Sequence, residues 1–284
     1  MTKILDGKIA AQAIKEELKE KYLSFKEKLK LVIIHSNKPD SASYLNARKK
    51  IFKEFNAELE EILISNETKK EELYAILDNV NQDYSVDGIM LDRPLPSSFH
   101  EQDFLSYISP QKDVDGYTYT NLGKLMSNQP CLNACTAMAA ISLVEYYNIP
   151  LEGKNVLIIG RSVNVGKPLA LLLLNKNATV TIAHSKTKDL IKIAKKADII
   201  FTCVGKANFI TKDFVTKKTI LVDIGINFDE NHKLCGDVSK ECYPLVQAYS
   251  PVPGGVGVLT NLMLMKNLYD AHQNGVIQNE QNSL

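Results

Sequence analysis

The chain has 284 residues, enough for two domains and a substantial core. At 45% hydrophobic, 24% charged and a formal net charge of +1, it has a globular composition and none of the basic excess that draws a protein to nucleic acid or an anionic membrane. Five cysteines (131, 135, 203, 235 and 242) form no C-x-x-C, and their odd number argues against a disulfide framework, so a cytoplasmic setting is expected. The N-terminal stretch Met-Thr-Lys-Ile-Leu-Asp-Gly lacks a signal-peptide core, and the aliphatic run at 169–174 is too short to span a bilayer.

From residue 8 to about 30, Ile9, Ala13, Ile14, Leu18 and Tyr22 recur at helical spacing, which predicts an opening amphipathic helix. A short strand is predicted over 31–34, a helix over about 42–57, a strand over 59–64, a helix over 68–82 and a strand over 87–91. That alternation predicts a small parallel sheet flanked by helices, closed by Asp92-Arg-Pro-Leu-Pro96. A linking helix near 136–147 leads into strands at 155–160, 178–184, 198–204 and 219–224, with helices at 167–176 and 187–197 between the first three. The result is an α/β fold of two lobes, the second a doubly wound, Rossmann-like parallel sheet, with a ligand cleft expected between them. A glycine/proline loop at 250–257, a last helix at 262–272 and a polar, frayed tail at 278–284 complete the chain.

The most informative segment is Val156-Leu-Ile-Ile-Gly160-Arg-Ser-Val-Asn-Val-Gly166-Lys-Pro168. An apolar run enters Gly160, where the backbone can turn sharply, and Pro168 suits the first turn of a helix. Free N–H groups at that helix start would make an anion site for a pyrophosphate. The two glycines are six residues apart rather than in G-x-G-x-x-G order, so a tight turn without a ligand stays an alternative. The following strand ends at His184-Ser185-Lys186-Thr187-Lys188, with no acid where NAD enzymes hold the ribose 2′-hydroxyl. Ser185, Lys186 and Arg161 suit a 2′-phosphate instead, which points to NADP; the other possibility is that Lys186 and Lys188 are solvated loop residues.

Further pieces fall in one order: Pro39-x-Ser41-x-x-Tyr44, Asp87-Gly-Ile89 leading to Pro94-Leu-Pro96, Lys112-Asp-Val-Asp-Gly116, and Gly160-Arg-Ser-x-x-Val-Gly-x-Pro168. After them come His184-Ser-x-Thr187, Asp223-x-Gly-Ile-Asn227, Gly236-Asp-Val238 and Pro251-Val-Pro-Gly-Gly-Val-Gly257. On these the chain resembles, over essentially its whole length, the methylenetetrahydrofolate dehydrogenase/cyclohydrolase family. The resemblance implies NADP-dependent oxidation of 5,10-methylenetetrahydrofolate to the 5,10-methenyl form, followed in many members by hydrolysis to 10-formyltetrahydrofolate. It implies a folate/catalytic domain at 1–134, completed by a C-terminal helix at 262–284, and an NADP-binding domain at 135–261. Tyr44, Arg48, Asp92 and Asp115 fall at the catalytic positions, with Tyr44 stacking on the pterin and Asp115 accepting from its amino edge. Pro253, Gly254 and Gly255 also face substrate, and Gly160, Arg161, Ser162, Val165, Gly166, Ser185, Lys186 and Ile226 face the cofactor. No metal is implied. A homodimer is.

Two departures bear on the second reaction. The family has a lysine where this chain has Arg48, and a glutamine where it has Asp92. Lys49 and Lys50 point roughly 100° and 200° away on a helix, so neither replaces it. A guanidinium cannot pass a proton as an ammonium can, and a fixed Arg48–Asp92 pair is expected in its place. Ser36, Ala137, Ala139 and Val258 also depart from the family pattern and are expected on the same folate side. The sequence therefore predicts a dehydrogenase with weak or absent cyclohydrolase activity. A second reading stays open, a non-catalytic homologue that binds folate or nucleotide as a regulator or partner subunit.

Overall fold

The computed structural model describes the backbone of residues 2–36 and 39–282, and the side chains of these residues except 39–44 and 276–282. In chain order the elements are β1 (Lys3–Ile4), α1 (Gly7–Leu23), β2 (Lys30–His35), α2 (Pro39–Glu54), β3 (Glu58–Leu63), α3 (Lys70–Gln82) and β4 (Gly88–Leu91). Then come α4 (Glu101–Leu105), α5 (Tyr119–Met126), α6 (Cys135–Tyr146), β5 (Asn155–Ile159), α7 (Gly166–Leu174), β6 (Thr179–Ala183) and α8 (Leu190–Ala194). The chain closes with β7 (Ile199–Thr202), β8 (Ile220–Asp223), β9 (Asn227–Phe228), β10 (Leu234–Cys235), β11 (Ala248–Tyr249) and α9 (Thr260–Asn282). Two compact units form: residues 15–135 with 261–284, and residues 1–14 with 136–260. A sequence division at 134 gave the first fourteen residues to the other domain; β1 draws them away by pairing with β11.

In the unit of residues 15–135 and 261–284, three parallel strands lie in the order β3-β2-β4. The run Leu31-Val-Ile-Ile34 is almost wholly buried, as a central parallel strand must be. Full burial of such a side chain contributes roughly 1.5–3 kcal/mol. Edge strand β3 is studded with Glu58, Glu60 and Glu61, which discourages pairing with another chain. Helix α1 stops at Leu23, short of the expected 30, because the Ser24 hydroxyl donates to the Lys21 carbonyl at 2.7 Å and Phe25 turns in against Tyr22, Tyr269 and His272. Helix α9 runs well past 272, so the tail expected to fray is helical through Asn282, with Ser283 and Leu284 outside the described residues. A lone Gly275 weakens a helix by only about 1 kcal/mol and does not end it.

The other unit is built on a six-stranded sheet, all parallel, in the order β1-β11-β8-β7-β5-β6. From β5 the chain winds outward to β6, returns to β7 on the opposite side and continues to β8, so strand order reverses beside β5. The crevice at the carboxyl ends of the strands flanking such a reversal is where doubly wound sheets bind ligands. Ile158, Ile200, Phe201 and Val222 are fully buried and fix the sheet's core. Helix α8 is only five residues long, shorter than the expected 187–197, because residues 184–187 are taken up by a turn. Among the described residues no helix is long and apolar enough to cross a membrane, and no group of three or more His, Cys, Asp or Glu is placed to hold a metal ion.

Candidate active-site residues

In the first unit, charged side chains gather at the carboxyl end of β4. Arg48, on α2, donates from Nη1 to Asp92 Oδ1 at 2.6 Å, and the two side chains are only 11% and 6% exposed. The pairing is single rather than forked: Arg48 Nε and Asp92 Oδ2 are buried without a hydrogen-bond partner among the described residues. Lys49 is exposed and bound to Glu61 at 2.8 Å, and Lys50 is exposed, so neither lysine reaches this pair. Tyr44 lies one turn earlier on α2, but its side chain lies outside the described residues. Ser36 Oγ donates to the Pro94 carbonyl at 2.6 Å, tying the end of β2 to the loop after β4.

Asp115 sits in the loop leading to α5. The neighbouring Asp113 shapes that loop, its carboxylate accepting from the Gly116 and Thr118 amides at 2.9 and 2.7 Å and from Asn121 at 3.0 Å. Asp115 itself accepts no hydrogen bond among the described residues. Burial pushes its carboxyl up to about 6, while the Arg93 guanidinium pulls the other way. Arg93 is the residue that sequence reasoning missed. Its Nη1 lies 3.5 Å from Asp115 Oδ2, and its Cζ sits 4.5 Å over the Tyr117 ring. Nothing in the local sequence marks that pairing, because the two loops meet only in the fold.

In the second unit the loops after β5, β6, β7 and β8 share the carboxyl edge of the sheet. Gly160 has φ +131°, and a Cβ there would lie 2.6 Å from the Cys203 carbonyl oxygen, so only glycine lets these two loops close. The helix start differs from expectation. Val165 N and Gly166 N donate to Ser162 Oγ at 3.2 and 3.4 Å, Lys167 N donates to the Ser162 carbonyl at 3.0 Å, and Pro168 has no N–H. Ser162 thus caps the amides that the sequence suggested were free. Arg161, Ser185 and Lys186 are exposed, and a turn closed by His184 N to Thr187 Oγ1 at 2.8 Å presents the latter two. No carboxylate lies in that turn, which suits a 2′-phosphate. Ile226 is about half exposed beyond β8. Pro253, Gly254 and Gly255 follow β11, with Gly254 at φ +106°.

Asp237 joins these loops and was not singled out from sequence. Its carboxylate accepts from Thr202 Oγ1 (3.0 Å), Val204 N (2.7 Å), Lys206 N (2.9 Å) and Asn227 Nδ2 (2.9 Å). Asp223 accepts from Gly225, Asp237 and Val238 amides, yet burial still pushes its carboxyl up to about 7. Burial likewise holds the Cys203 thiol protonated, pushed up to about 12. Of the departures from the family pattern, Ser36, Arg48 and Asp92 belong to the first unit, and Ala137 and Ala139, both fully buried, and Val258 belong to the second.

A reversing parallel sheet with a glycine loop at its switch point defines a Rossmann-like dinucleotide-binding protein, here with a second α/β unit that carries a buried charge cluster. The chain belongs to the tetrahydrofolate dehydrogenase/cyclohydrolase family: the model of the family's catalytic domain matches residues 5–115 and that of its NAD(P)-binding domain matches 134–276. A Streptococcus pneumoniae protein named bifunctional protein FolD is 42% identical over 277 residues, 95% of this chain and 97% of that one. The crystal structure of the bifunctional methylenetetrahydrofolate dehydrogenase/cyclohydrolase of Campylobacter jejuni superposes with a TM-score of 0.93 at 37% identity, covering 96% of this chain and 99% of that one. The Trypanosoma brucei enzyme, solved with NADP and an inhibitor, gives 0.90 at 27% identity, covering 97% and 98%.

Proposed function

We propose that the protein oxidises 5,10-methylenetetrahydrofolate to 5,10-methenyltetrahydrofolate with NADP, and that hydrolysis onward to 10-formyltetrahydrofolate is weak or absent. Family membership supports the oxidation. One observation carries the second half: a guanidinium locked to a carboxylate stands where the family has its lysine.

Bound NADP supplies the two-electron acceptor. Arg161, Ser185 and Lys186 would hold its 2′-phosphate, and Ser162, Val165 and Gly166 its pyrophosphate, which would take over the two amides that the Ser162 hydroxyl otherwise caps. The exposed cations, the acid-free turn and the tight Gly160 turn fit that cofactor. In the other unit Asp115 would accept from the pterin's amino edge, a bidentate match for a carboxylate, and Tyr44 would stack on its ring. Loss of a hydride from the methylene carbon needs no protein base, only alignment and a tolerable field for the cation that forms. Arg48 alone would oppose that cation; its pairing with Asp92 offsets the charge. Water addition to the methenyl carbon does need a proton relay, and Arg48 keeps its proton.

The same resemblance supports a cytoplasmic homodimer in one-carbon metabolism that supplies purine synthesis. The test is to follow NADPH and methenyl-folate absorbance with purified protein. Stoichiometric accumulation of both is expected. No NADPH at saturating folate and NADP would defeat the proposal, and calorimetric binding without turnover would favour a regulatory or partner subunit.

A further inference from the structure

Asp115 poses a physical problem. It is a buried carboxylate that accepts no hydrogen bond from the described residues, the situation in which a carboxyl group tends to take up a proton and lose its value as an acceptor. The groups facing it are of both signs. Asp113 and Asp92 oppose its charge, Arg93 and Arg48 favour it, and the Tyr117 hydroxyl and Cys135 thiol are held neutral by burial. Arg93 is the foremost favourable partner.

The way Arg93 is held decides what it can do. It donates from Nε to Glu101 Oε1 at 2.7 Å and from Nη2 to the same oxygen, so its strong donors are committed away from Asp115. Its plane rests over Tyr117. The remaining Nη1 stands 3.5 Å from Asp115 Oδ2, close enough for Coulomb attraction but beyond hydrogen-bond length. The carboxylate therefore gains a counter-charge while, among the described residues, neither of its oxygens is taken up by a hydrogen bond.

We infer that Arg93, clamped by Glu101, is a positioning residue that holds Asp115 as a ready acceptor for the ligand's amino edge without occupying it. The inference rests on Asp115 being the folate anchor. It makes Glu101 part of the device: without the clamp, the guanidinium is free to close onto Asp115 and compete with substrate for the same oxygens.

The test uses the full chain with carbon-13 carboxyl titration of Asp115, alongside the KM for methylenetetrahydrofolate from about pH 6 to about pH 9. Arg93→Met should raise the Asp115 midpoint above its wild-type value and raise the folate KM about tenfold near neutrality, with recovery at high pH as the group ionises. The kcat and the KM for NADP should move far less. Arg93→Lys should restore most of the midpoint. Glu101→Gln should shift the midpoint in the opposite direction, downward, yet weaken folate at every pH. An unchanged midpoint in Arg93→Met, or an upward shift in Glu101→Gln, overturns the inference. If the wild-type protein fails to bind folate, the folate reading falls, while the Asp115 titrations still decide the role of Arg93.

Discussion

A guanidinium keeps its proton under any condition in which an enzyme works, and the proposed loss of the second reaction turns on that property at position 48. Exchanging both partners, Arg48→Lys with Asp92→Gln, should restore a titratable amine and raise the cyclohydrolase rate by about 10²–10⁴-fold, read as decay of methenyl-folate absorbance. Arg48→Lys alone should gain less, because Asp92 would hold the new ammonium protonated. Wild-type hydrolysis well above the solvent rate would refute the assignment, and a silent double variant would shift attention to Ser36, Ala137, Ala139 or Val258. The Arg48–Asp92 pair was legible in the sequence because a carboxylate gained in place of glutamine and an arginine in place of lysine can be read from residue types alone. Arg93 was not, since it meets Asp115 only where two loops converge. The role of Tyr44 stays with the resemblance.

At the level of elements, the proposed cofactor site rests on the loops at the carboxyl edge of the large sheet. Removing both cations, Arg161→Ala with Lys186→Ala, should weaken NADP by about 1–3 kcal/mol per charged hydrogen bond lost and leave NAD nearly unaffected. Titration calorimetry with both nucleotides checks this, and an unchanged preference would locate the 2′-phosphate elsewhere. Asp237 is the tie between the loops after β7 and β8. Asp237→Ala leaves several donors unsatisfied and should cost about 3 kcal/mol in urea unfolding, with NADP affinity falling as well. The strands of both units were readable because parallel strands are continuous apolar runs and helices repeat at a different period. The short α4 and α5 and the two-residue β1 carry too little pattern to be seen. Ser162 acting as a helix cap was hidden for another reason: a serine before a helix is equally suited to a ligand and to its own amides.

Each unit of the whole molecule is discontinuous in sequence. Ligand linkage should show in stability: NADP at about a hundred times its Kd should add about 2.7 kcal/mol to unfolding of the unit that holds it, seen as a rise in Tm. The Arg161→Ala, Lys186→Ala protein should lose most of that rise at the same nucleotide concentration. The overall architecture was legible because the β/α alternation and its winding direction follow from element order, whereas the assignment of residues 1–14 depended on a pairing partner near the far end of the chain. That pairing has a consequence in time. On the ribosome, Lys3 and Ile4 emerge well before Ala248 and Tyr249 and must wait for them before they have a neighbour. The other unit waits as well, for the stretch of α9 in which Met265 receives the Tyr22 hydroxyl and Leu268 packs on Gly88. Neither unit can finish folding before its distant segment has been made, so the early part of each waits on the ribosome without the partner that completes it.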